Sequence, residues 1–142
     1  MEKEFILVQL RKESHGESTS GSQVMRTYLK DCARKHHTWF STNSPVDELK
    51  AGEYHTLLFM VDGEIAYRAS LLEVYSYSDE EPCPQFGDAP PEWIDEEART
   101  WIKFHRILPE REITVAQLRI ASSGKPVTDV PVLRRCLSYV TA

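Results

Sequence analysis

The side chains in this sequence whose type and setting suggest chemistry are aromatic. Trp39 opens the run Trp39-Phe40-Ser41-Thr42 at a turn-rich strand end, Trp93 sits in a Pro/Asp-rich loop, and Trp101 begins Trp101-Ile102-Lys103-Phe104. A tryptophan beside Ser and Thr at a strand end points to a recognition surface, where a flat π face stacks on a flat ligand. Trp101 alternates with apolar neighbours and reads as core.

Covalent and metal chemistry find no support. The sequence has no HExxH, GxSxG or CxxC. Gly124-Lys125 is followed by Pro126, and Arg119 stands where a phosphate-binding loop needs its first glycine. Cys32 with His36-His37 is the nearest approach to a ligand cluster and lacks a second pair. Glu80-Glu81 and Glu96-Glu97 are adjacent residues whose side chains diverge on a strand or helix, so they read as solvated acidic loops. The expectation is a non-catalytic protein that needs no cofactor and no metal.

The elements that must position the aromatic residues follow from periodicity. Glu4 to Leu10 (EFILVQL) reads as a strand and His15 to Ser22 as a Gly/Ser/Thr loop. Val24, Met25, Tyr28, Leu29, Cys32 and Ala33 recur at helical spacing, with Ser22 as N-cap and Arg34-Lys35 at the C-terminal end of the dipole. Leu57 to Val61 is continuously apolar, as a strand covered on both faces should be, and Asp62-Gly63 turns it into a second, antiparallel strand through Tyr75. Residues 76 to 91, with Pro82, Pro84, Pro90 and Pro91, read as irregular; a short helical turn over Glu92 to Ala98 then precedes a strand from Thr100 to Ile107. Asp129 as cap, Pro131 near the first helical position, and Leu133, Cys136, Leu137 and Val140 on one face predict a terminal helix. With no repeat and no change of composition, 1–142 is expected to be a single α+β domain, a mixed, strongly curved sheet or open barrel with flanking helices. A chain of this length buries roughly two thirds of the surface its unfolded form exposes.

Charge bounds the partner. The net charge of −5 opposes a polyanion, but its distribution matters more. No Lys or Arg lies between Arg68 and Arg99, a stretch holding nine acids from Glu73 to Glu97, whereas basic residues recur elsewhere, enough for one basic face of moderate strength. Three dispersed cysteines resemble no disulfide framework, and no run approaches the ~20 apolar residues of a membrane span, so a soluble protein of a reducing, cytoplasmic setting is expected, with no membrane partner.

Taken in order, Phe5-Ile6-Leu7-Val8, Trp39-Phe40-Ser41-Thr42 with Leu49, Leu57 to Gly63, Trp101-Ile102 and Lys125-Pro126-Val127-Thr128 resemble the YTH family of N6-methyladenine readers and, more loosely, the EVE domains, both of the PUA-like fold. The likeness covers nearly the whole chain. It implies RNA or DNA carrying a modified base, single-stranded or flipped, as the partner. It implies Trp39 as one wall of an aromatic cage and Trp93 as the second, facing each other across a concave pocket. Among Tyr77, Phe86 and Ile94, Phe86 is taken as the third wall. The backbone at Phe40, with Ser41 beside it, would accept the methylated amine's N–H. Asn43 and Ser14 are candidates for holding the base edge, although the position matching the family's usual polar residue falls at Val46 or Asp47. Arg11, Lys12 and Lys125 would touch the phosphate backbone. Two alternatives stay open: an EVE-like reader of modified cytosine in DNA, serving a defence or restriction system, and a protein-interaction or small-ligand domain of the same fold.

Overall fold

The computed structural model describes residues 3–10, 20–129 and 137–142. Strand β1 (Glu4–Leu10) is buried on both faces and leads toward helix α1 (Gly21–Lys35). Ser20, not Ser22, is the N-cap: its Oγ accepts the Gln23 N–H at 3.2 Å and the Gln23 side chain accepts the Ser20 N–H at 2.8 Å, a reciprocal capping box. Ser22 Oγ instead donates to Asp62 Oδ2. The expected Arg34 and Lys35 close the last turn.

β2 (Thr38–Thr42) follows almost at once. A short helix that periodicity did not suggest, α2 (Glu48–Gly52), is nucleated by Asp47, whose Oδ1 accepts the N–H groups of Leu49 and Lys50. β3 (Thr56–Val61) and β4 (Glu64–Pro82) form the expected antiparallel hairpin. Its turn places Asp62 at φ 49° and Gly63 at φ 93°, the two left-handed positions of a twist-matched two-residue connection. A 3₁₀ turn at Pro91–Trp93 precedes β5 (Glu97–Pro109), and β6 (Arg119–Ile120) and β7 (Leu137–Thr141) end the order.

The strands make one sheet in the order β2-β5-β4-β3-β1-β7-β6. β1 and β3 run parallel and every other neighbouring pair is antiparallel, so the α+β class and the mixed sheet stand. The barrel does not: β2 and β6 are the open ends of the sheet and pair with no further strand among the described residues. Two further expectations are corrected. β4 continues to Pro82 instead of stopping near Tyr75, because β5 offers partners as far as Glu97, with an irregularity between Ser76 and Glu81. Leu137 and Val140 belong to a strand, not a helix; β1 presents a free edge, and pairing of Phe5 with Val140 and Val8 with Leu137 satisfies a backbone that local periodicity alone assigned to a helix. The remainder of that expected helix, 130–136, lies outside the described residues.

Alternation along the strands divides the core. Ile6, Val8 and Leu10 of β1, Phe40, Leu57, Phe59, Ile102 and Phe104 face α1 and pack on its Val24, Met25 and Tyr28. Phe5, Leu7, Leu58, Met60 and Val140 form a second cluster, and Trp39 and Trp101 a third with Ala89 and Ala98. No helix among the described residues is long and apolar enough to cross a membrane.

Candidate functional site

Trp39 and Phe40 are consecutive on β2 and therefore point to opposite faces. Phe40 meets Tyr28 edge-on at 6.5 Å, and Trp93 packs edge-on against the same Tyr28 at 5.4 Å. Trp93 thus belongs to the helix-covered face. Trp39 lies on the other, T-shaped on Trp101 at 6.4 Å and tilted on Tyr75 at 6.1 Å. The expected pair of facing tryptophans is not formed: the two rings sit in separate clusters, with the sheet between them.

The loop after β4 covers Trp39, leaving it 2% exposed. Asp88 Oδ2 accepts the indole N–H at 2.7 Å and lies 2.5 Å from His37 Nε2; Lys35 Nζ stands 3.5 Å from Oδ1 and also donates to the Asp88 carbonyl. Burial pushes the Asp88 carboxyl up, but the Trp39 and His37 hydrogen bonds and the Lys35 and His37 charges outweigh it and hold it below the usual carboxylate range. Trp39 is therefore a pinned interior residue. Phe86, the expected third wall, is wholly exposed at 101% on the same loop.

The other expected contacts scatter. Ser41 is buried opposite Trp101, Asn43 accepts the Arg99 backbone N–H at 3.4 Å, and Lys125 is exposed on a turn beside β6. Arg11, Lys12 and Ser14 lie outside the described residues.

The structure assembles a cavity that no local motif marks. It has a volume of about 440 Å³ and begins where β2 ends, with Val46, Asp47 and Lys50 on one side and Leu137 and Tyr139 of β7 on the other. Ile6 and Ile102 form apolar floor. This size lies within the range of ligand pockets, and a mostly apolar lining with a few polar groups is their usual chemistry.

Tyr139 gives the cavity its chemical character. Its ring is tilted against Tyr54 at 4.8 Å, and Lys50 Nζ stands 4.6 Å from its centroid, a cation–π contact. Burial, then Tyr54 and Asp47, raise its pKa, so the phenol remains a protonated donor. That hydroxyl is buried and has no hydrogen-bond partner among the described residues. An unmet buried donor costs about 1–3 kcal/mol, which a ligand bringing an acceptor would recover once the ring turns its hydroxyl into the cavity. Asp47 Oδ1 is committed to capping α2, leaving Oδ2 to accept a hydrogen bond. Beside aromatic and apolar walls the cavity thus offers a donor, an acceptor and a cation.

Among the described residues no group of three His, Cys, Asp or Glu side chains could hold a metal ion. The parts of the cavity come from β1, β5, the α2 cap and β7, elements far apart along the chain, which is why spacing alone missed it. The chain matches no family model, and neither the curated proteins nor the solved structures gave a match.

Proposed function

We propose that this chain is a non-catalytic, PUA-like nucleic-acid-binding domain that takes a modified base, N6-methyladenine first among them, into the cavity bounded by Val46, Asp47, Lys50 and Tyr139. The observation that carries the reading is the Tyr139 hydroxyl, without a hydrogen-bond partner among the described residues, at the wall of a mostly apolar space of about 440 Å³ that opens directly after Trp39-Phe40-Ser41-Thr42. A ring nitrogen or carbonyl of a base supplies the missing acceptor, and the Asp47 carboxylate can accept the remaining N–H of a monomethylated amine. Aromatic contact with a base yields about 1–3 kcal/mol whatever its identity. Burying one methyl adds roughly 0.8 kcal/mol and apolar pockets discriminate by about 1–3 kcal/mol, so selectivity of about tenfold to a couple of hundredfold is expected. Unstacking costs least in a single strand, which makes single-stranded or flipped targets the favoured ones.

In this reading Trp39 anchors the strand that leads into the cavity and does not touch the base. The test is calorimetric titration of short single-stranded RNA and DNA, each with and without one N6-methyladenine, with modified cytosines in the same panel. Methyl-dependent binding that Tyr139→Phe weakens and Val46→Trp abolishes, both variants remaining folded, supports the reading. Preference for modified cytosine in DNA would move the ligand to the EVE-like alternative. Binding of no oligonucleotide at low salt would overturn the nucleic-acid reading in favour of a small ligand or a protein partner.

A further inference from the structure

Three non-glycine residues among those described have left-handed backbone: His36 at φ 69°, Asp62 at φ 49° and Arg106 at φ 53°. Asp62 is accounted for by the hairpin turn. The other two come from distant elements, yet both line one groove of about 500 Å³ between the end of α1 and the end of β5. His36 is the C-cap of α1, a place where glycine is the unstrained residue. Arg106 lies in a β-bulge, where the register with β4 slips between the pairs Arg68–Leu108 and Ser70–His105. Bulges re-aim side chains, and glycine is again the easy residue at a left-handed bulge position. Cys32 of α1 lies behind the bulge, where the backbone N–H groups of Arg106 and Ile107 partly offset the rise that burial imposes on its thiol pKa.

What these strained positions present is one guanidinium, that of Arg106, without a counter-charge, beside an imidazole. His105 joins His36 and Arg106 in the lining, and among the described residues no Asp or Glu does. The neighbouring cations of α1 are committed, Arg34 and Lys35 to Asp31 and Lys35 also to Asp88. The Arg106 side chain makes no hydrogen bond or ion pair among the described residues. The carboxyl end of the α1 dipole disfavours an anion here, and the Arg106 guanidinium set at that end opposes it, while burial, with the Arg106 and His37 charges, lowers the pKa of His105 and leaves it a neutral ring N–H donor. Leu29, Cys32 and Ile107 give the groove a less polar floor. Backbone strain retained where glycine would remove it is a mark of function when the strained residues converge on one place.

We infer that the groove formed by His36, His105 and Arg106 binds phosphates of a single-stranded nucleic-acid backbone, on the same partner whose base enters the cavity. The inference rests on the nucleic-acid reading for its partner but not on the identity of the base. Arginine supplies forked donors to phosphate oxygens, and the two imidazoles add ring N–H donors.

The experiment measures unmodified single-stranded RNA and DNA oligonucleotides against wild type, Arg106→Gly, His36→Gly and Arg111→Gln, an exposed arginine outside the groove, across a salt series. Each glycine variant removes a side chain and relieves its backbone, so its melting temperature should hold or rise. Affinity at low salt should fall about three- to tenfold in each. The slope of log K against log salt should flatten by roughly 0.7 for each phosphate no longer neutralised, while Arg111→Gln leaves both unchanged. A cavity variant loses preference for a methylated base; a groove variant should lose affinity for methylated and unmethylated strands equally. Unaltered affinity and slope in both glycine variants overturns the groove and leaves the base reading standing. Flattened slopes without any methyl preference keep the groove and remove the base reading. Binding of no oligonucleotide overturns both.

Discussion

Removing the Asp88 carboxylate tests the account of Trp39 as a pinned interior residue. In Asp88→Ala the indole N–H, on a residue 2% exposed, loses its acceptor, and an unmet buried donor costs about 1–3 kcal/mol. Lys35 keeps Asp31 at 2.7 Å, so breaking its ion pair with Asp88 adds no more than about 1 kcal/mol. The sum is about 1–4 kcal/mol, against a stability of roughly 7–20 kcal/mol for a domain of this length. At about 2–4 °C per kcal/mol, the melting temperature should drop by about 2–16 °C. Urea denaturation of wild type, Asp88→Ala, Trp39→Phe and the double variant isolates the interaction. Phenylalanine has no N–H to orphan, so the aspartate should matter about 1–2 kcal/mol less in the Trp39→Phe background. Equal cost of Asp88→Ala in both backgrounds, within about 0.5 kcal/mol, would refute the latch.

Other predictions probe separate parts of the fold. The folded Asp88 pKa is depressed, so its contribution to stability is complete above the unfolded value near 3.9 and is lost as pH falls through the folded value; Asp88→Asn should reduce the acid-induced loss below about pH 4 and leave the profile near neutrality parallel to wild type. Cys83, its pKa pushed up to about 11 by burial, should alkylate more than about twentyfold slower at pH 7.5 than an unstructured cysteine, and labelling at the ordinary rate would contradict its placement. A Cβ on Gly21 would stand 2.5 Å from the Leu10 carbonyl oxygen and 2.8 Å from Asp62 Oδ1, so Gly21→Ala should cost about 1–3 kcal/mol in urea melts; a neutral result would mean that α1 does not start this close to β1.

Which parts of this molecule were legible in its sequence depends on the range of the forces involved. The helical spacing from Val24 to Ala33, the unbroken apolar run of β3 and the Asp62-Gly63 turn express local preferences, and the structure keeps all three. β7 and the second half of β4 are strands because distant partners complete their hydrogen bonds, which neither segment announces. The site divides in the same way. Aromatic side chains at Trp39 and Trp93 were plain to see, but whether a ring faces solvent is decided by what covers it, and Trp39 is covered by Asp88, 49 positions away. The cavity and the His36–Arg106 groove are likewise products of strands and helix ends meeting; the left-handed backbone that marks the groove has no signature in residue type.

The central claim, that the cavity is a base-binding site, is tested most directly by mapping where the ligand lands. Titration of ¹⁵N-labelled protein with N6-methyladenosine, and then with a short single strand carrying it, should shift the amides of Ser44, of Val46 to Lys50 and of Leu137 to Tyr139 while those of Trp39 and Trp93 move little. Shifts centred on the Trp39 and Asp88 loop, or none at saturating nucleoside and oligonucleotide, would contradict the account.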